Sequence, residues 1–157
     1  MIILAIDPGQ RSGWAVSQPA LSGSVDHERA AMEDWWGDMP ERGMVTAWEK
    51  RLSKEERLKR VLGTYAGWLA NNLHYYQPAI FILERQKPFR GRSNTHVLEF
   101  RGVSLGVAGR MDLALVECPP EGWRKHLNGR AYDPAKDHQL AAELMLVWWQ
   151  TQQRAAA

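Results

Sequence analysis

The first seventeen residues, Met1 to Ser17, constrain what this chain can fold into more than any other stretch. Ile2 to Ile6 is a continuous apolar run, the pattern of a strand buried on both faces. It stops at Asp7, the Pro8-Gly9 pair supplies a turn, and Trp14-Ala15-Val16 resumes the apolar pattern. The spacing predicts a β-hairpin that opens a domain, with Asp7 at the tip of a central strand. A carboxylate placed there is costly unless it is solvated, paired or bound to a metal. Taken alone, Asp7 would serve equally well as a turn-capping side chain.

A second run of the same kind lies far along the chain. Pro78 ends a segment in which Leu58, Leu62, Tyr65, Leu69, Leu73 and Tyr76 step by three and four, after a Ser53/Glu56 capping pair, so a helix is predicted over 53–76. Ala79-Ile80-Phe81-Ile82-Leu83 then reads as another buried strand, and it too ends in an acid, Glu84. If the two strands are neighbours, Asp7 and Glu84 converge at one sheet edge, and Asp137, at the start of the last helix, is a third candidate for the same point. Like charges gathered in this way suit divalent cations, and oxygen donors favour Mg²⁺ or Mn²⁺. Two such ions about 4 Å apart can activate water and stabilise a leaving oxygen in phosphodiester hydrolysis. The competing readings are an ion pair of Glu84 with Arg85, and an Asp137 that merely favours a helix dipole.

The remaining segments complete a coarse outline. Met44 to Trp48 is read as a third strand, 94–109 as a helix with small residues for close packing, and Leu113 to Val116 as a strand. Pro119-Pro120 leads to a short helical piece over 123–127. A last helix is predicted over 134–152, with Leu140, Leu144, Val147 and Trp148 on its apolar side. Strands alternating with helices after an opening hairpin predict an α/β protein, a mixed sheet of about five strands flanked by helices, in one domain over 1–157. The chain has 157 residues, one cysteine (Cys118) and no 18-residue apolar run, so neither a disulfide framework nor a transmembrane helix is expected. No signal-peptide pattern is read at the N-terminus, and the expected location is the cytoplasm.

Net charge is only +2, but residues 51–110 carry eleven basic against four acidic side chains. A cationic face that attracts polyanions is the expectation. Its centre is the loop Arg85-Gln86-Lys87-Pro88-Phe89-Arg90-Gly91-Arg92. Lys87, Arg90 and Arg92 are candidates for phosphate contacts, and Phe89 for a wedge that stacks on a base. Arg11, Arg124 and Lys125 are further candidates for contact with a DNA backbone.

The residues from Ile3 to Val16, the amphipathic helix before Pro78, Phe81 to Gln86, Phe100-Arg101-Gly102-Val103 and Val116 to Pro120 together resemble, in order, the RuvC-type Holliday junction resolvases. The similarity covers roughly residues 1–18 and 53–137. The resemblance implies an RNase H-like fold, a homodimer, Mg²⁺-dependent nicking of branched DNA (Mn²⁺ as a substitute) and four acidic or His ligands, with Asp7 and Glu84 at the first two positions. Its short chain suggests a phage-type member, acting in the host cytoplasm. The C-terminus departs from the family pattern of two ligands three residues apart, because Asp137 plus three is Leu140. Either the final metal-binding helix is missing, or a penultimate helix is deleted and Asp137-His138 opens the final one. In the second case His138 is a catalytic candidate, a ligand or general base, and Glu143 a stand-in ligand.

The expectation is therefore a structure-selective endonuclease for four-way or other branched DNA, with forks and flaps among the candidate substrates. Two rivals stand beside it: a branched-DNA-binding protein of the same fold with an incomplete site, and a fragment of an actin-like or sugar-kinase ATPase. The latter requires a second phosphate-binding hairpin and a longer chain, which are not found in this sequence.

Overall fold

The computed structural model describes residues 1–85 and 95–157. Five strands form one mixed sheet: β1 (Ile3–Asp7), β2 (Arg11–Val16), β3 (Leu21–Asp26), β4 (Ile80–Glu84) and β5 (Leu115–Cys118), in the order β3-β2-β1-β4-β5. The first three run antiparallel as a meander, and β4 and β5 add parallel to β1. The mixed α/β sheet flanked by helices is the architecture expected from the sequence.

Period-two alternation divides the core between the sheet's two faces. Leu4 and Ile6 of β1, Val16 of β2, and Phe81 and Leu83 of β4 point to one face. There they pack against α1 (His27–Trp36), α2 (Met44–Arg51), α3 (Lys54–Tyr76) and α4 (Thr95–Arg110). Ile3, Ala5, Ala15 and Ile82 point to the other, covered by α5 (Pro120–Arg124), a 3-10 turn (Lys125–Leu127) and α6 (His138–Ala156). Asp7 follows Ile3 and Ala5 at the same parity, and Glu84 follows Ile82. Both carboxylates therefore belong to the α6 face. The parallel pairing ends at Ile6↔Leu83, so Asp7 and Glu84 are the next residues along two adjacent strands.

The helix predicted over 53–76 is α3, and Ser53 and Glu56 form the reciprocal capping box. Three other expectations are corrected. Met44 to Trp48 is helical, not a strand: its buried residues Met44, Ala47 and Trp48 step by three and four, a helical period inside a short apolar run. The third strand is instead Leu21–Asp26, an edge strand only half-buried and rich in serine, which leaves little hydrophobic signature. The last helix begins at His138, after a turn through Pro134 to Lys136, and buries Ala141, Ala142, Leu144 and Met145, while Val147 is exposed. Two alanines at the contact let α6 lie close on the sheet, and Trp148 and Trp149 pack beside them on that face. No helix among the described residues is long and apolar enough to cross a membrane.

Candidate active site

Asp7 and Glu84 are 6% and 8% exposed, at the sheet edge where β1 and β4 end. Their carboxyl groups share a hydrogen bond. Burial first, then the charge of Asp7 and this hydrogen bond, push the Glu84 carboxyl up to about 8. The fully buried Trp123 donates its indole N–H to Glu84 Oε1 at 2.8 Å, and Arg124 next to it also favours the ionised form. The Arg124 guanidinium lies 5.4 Å from the Trp123 ring and 5.9 Å from the Tyr132 ring, a stacked position beside the carboxylates.

His138 completes the group. Its Nδ1 lies 2.8 Å from Asp7 Oδ2, and this bond raises the imidazole above its usual range. The contact depends on a close approach between β2 and the first turn of α6. Gly13 pairs with Asp7 across the β1–β2 ladder, and a Cβ added to it would stand 1.8 Å from the His138 carbonyl oxygen. Only glycine permits that seating. Gly13→Ala should therefore lower stability by about 2 kcal/mol or more, in the range of a badly overpacked core site; thermal unfolding reads it, and an unchanged Tm would contradict the seating.

Together Asp7, Glu84, Arg11, Arg124, Tyr132 and His138 line a cleft of about 540 Å³. Arg11 pairs with Asp26 at 3.3 Å on its rim, and Lys125 is exposed in the 3-10 turn. Burial, then the charges of Asp7 and Glu84, raise the Tyr132 hydroxyl above its usual range, so it stays protonated beside them. Two sequence candidates are engaged elsewhere. Asp137 Oδ2 accepts from the Asp133 backbone N–H at 2.7 Å, closing the turn before α6. Glu143 bonds Ser22 and Gln139, facing the outer strand β3. The residue three after His138 is Ala141, fully buried and unable to ligate. Lys87, Phe89, Arg90 and Arg92 lie outside the described residues.

The donor chemistry suits a hard divalent cation at the carboxylate pair, because a cation between Asp7 and Glu84 relieves the repulsion that otherwise keeps a proton on Glu84. Among the described residues no three His, Cys, Asp or Glu side chains gather into a ready cage. The pair has a pH signature. A carboxyl raised in the folded state contributes stability that is complete below its ordinary value of 4.5 and is lost as pH rises through about 8. The metal-free protein should lose on the order of a few kcal/mol between about pH 5 and 9. His138, also raised, adds a slope of the same sign. Glu84→Gln should flatten this dependence in denaturant titrations; an equally steep slope in the variant would assign it to other groups.

Of the residues named from the sequence, the structure brings Asp7, Glu84 and His138 together. Sequence reasoning missed Tyr132, because a lone tyrosine in a polar loop carries no pattern. Gly13 had a readable signal, a glycine inside a strand, whose meaning needed the partner helix.

No family model and no curated protein sequence matches the chain. Solved structures do. RuvC of T. thermophilus in complex with a Holliday junction substrate is similar over 97% of this chain and 96% of that one, with 16% identity and a TM-score of 0.63. A second structure of Thermus thermophilus RuvC is similar over 98% and 97%, with 17% identity and a TM-score of 0.60. The chain has the RuvC-type, RNase H-like fold, with Asp7 and Glu84 side by side at the ends of its two central strands.

Proposed function

We propose that this protein is a divalent-metal-dependent, structure-selective endonuclease that nicks Holliday junctions or related branched DNA. The observation that carries the reading is the buried Asp7–Glu84 pair, joined by His138, at the foot of an open cleft with cationic residues on its rim. Asp7 and Glu84 would hold Mg²⁺ or Mn²⁺, which supplies an activated water and charge stabilisation at the scissile phosphate. The protein's own groups do the rest. Trp123 fixes one oxygen of Glu84, and His138 orients the Asp7 carboxylate. Arg124, held against two rings, and Arg11 stand where backbone phosphates enter. Two copies acting on the two strands of one junction, and a compact phage-type origin, belong to the same proposal.

The test is nicking of an end-labelled four-way junction, against a matched linear duplex, with Mg²⁺, Mn²⁺, Ca²⁺ or EDTA. Cleavage of the junction with Mg²⁺ or Mn²⁺ alone is expected. A second reading, a junction-binding protein that does not cut, is favoured by Ala141 at the position where a fourth ligand would stand; tight binding without nicking in any metal would select it. The cationic segment of the sequence gives a further prediction. Neutralising Lys87, Arg90 and Arg92 together should flatten the salt dependence of junction binding by about 0.9 in log–log slope per lost phosphate contact. An unchanged slope would place the DNA path elsewhere.

A further inference from the structure

On the face of the sheet opposite the cleft, the core contains a polar pair with no part in the chemistry above. His27 and Ser12 are both fully buried, among the rings of Tyr65 and Trp68. His27 holds the turn after Asp7 at two points. Its backbone N–H donates to the Gln10 carbonyl at 2.8 Å. Its Nε2 lies 3.1 Å from Ser12 Oγ, which in turn donates to the Gly9 carbonyl at 3.1 Å and accepts the Gly9 N–H at 3.3 Å. The hydroxyl has one proton, and it goes to Gly9 O. His27 must then be the neutral Nε2–H tautomer, donating to Ser12. That assignment leaves only an acceptor lone pair, Nδ1, without a partner. Burial supports the neutral form, since it lowers the imidazole to about 4.

We infer that His27, acting through Ser12, is a positioning residue that sets the Pro8-Gly9-Gln10 turn and thereby the aim of the Asp7 carboxylate into the cleft. The inference rests on the reading of the Asp7–Glu84 cleft as the cutting centre. The physical case is one of cost. A buried imidazole with a free ring nitrogen is a poor choice for filling a core of aromatic and aliphatic side chains. Leucine would fill it better but could not donate to Ser12. Within the turn, Gly9 has no side chain and Pro8 no N–H to contribute. Both residues line the cleft immediately after Asp7. A shift of about 1 Å in such a turn moves a catalytic oxygen out of productive geometry.

The experiment compares His27→Leu, Ser12→Ala, the double variant and His27→Gln, whose amide N–H can replace the imidazole donor. Single-turnover nicking should fall tenfold or more in His27→Leu and in Ser12→Ala, with the junction Kd within about twofold of wild type. The double variant should be no worse than the poorer single one, since both break the same chain of bonds. His27→Gln should recover most of the loss. Wild-type rates in a folded His27→Leu or Ser12→Ala, or losses that multiply in the double variant, would overturn the inference. If the wild-type protein does not nick DNA at all, the nuclease reading fails separately. Mn²⁺ titration and hydrogen exchange of the Gly9 amide then decide the positioning role: weaker Mn²⁺ binding with faster exchange in His27→Leu supports it, and unchanged values in that variant overturn it.

Discussion

Asp7→Asn should abolish metal-dependent nicking, by a factor of at least about 10³, while the protein still binds a four-way junction as well as wild type or better. The fold-change corresponds to about 4 kcal/mol of transition-state stabilisation, a reasonable loss for a carboxylate that holds the ion. Binding is spared because Asn is nearly the same size and removes a negative charge from a cleft that receives phosphates. Glu84→Gln should behave alike, since Gln can still accept from the Trp123 indole. Gel-shift and cleavage assays on the same preparations read both quantities. Mg²⁺-dependent cleavage by Asp7→Asn at more than about a hundredth of the wild-type rate would remove Asp7 from the site.

The second large effect is expected at the start of α6, where three neighbouring candidates separate. His138→Ala should lower cleavage about a hundredfold, or about 2.7 kcal/mol, because it removes the 2.8 Å bond that holds Asp7 Oδ2 and with it a nitrogen donor beside the carboxylate pair. Asp137→Asn should cost far less, as an amide oxygen can still accept from Asp133 and close the turn. Glu143→Gln should be nearly silent, because Glu143 faces Ser22 across the α6–β3 contact. The order His138, then Asp137, then Glu143 puts the imidazole ahead of both carboxylates, which acidity alone would rank first. If Asp137→Asn proved the most damaging of the three, the first turn of α6 would have to rearrange when metal and DNA bind, bringing that carboxylate around to the Asp7–Glu84 pair.

The two strand-end acids were legible in the sequence for a local reason. Ile2 to Ile6 and Ala79 to Leu83 are apolar throughout, as strands covered on both faces must be, and the side chain that ends each run is therefore conspicuous. Ser53 and Glu56 marked the start of α3 equally locally, since a capping box satisfies its own helix end. The edge strand β3 was not legible. Its residues are half-exposed serines, glycine and leucine, and its pairing with β2, not its composition, makes it a strand. Met44 to Trp48 failed in the opposite way, since five residues are too few to distinguish a helical period from an apolar run.

The sequence by itself determined the alternation of strands and helices and placed an acid at the end of each of the two strands that became the sheet's centre. Those features follow from interactions within a few residues. Only the tertiary structure decided that Asp7 and Glu84 share one face of the sheet, because strand order and register set that. Tertiary structure also chose His138 over Asp137 as the neighbour of Asp7. That choice turns on helix phase, one residue being about 100° of rotation, and the phase is set by how closely Gly13 lets α6 approach β2. Contacts between residues more than a hundred positions apart leave no periodicity in the chain, and become visible only when packing brings them together.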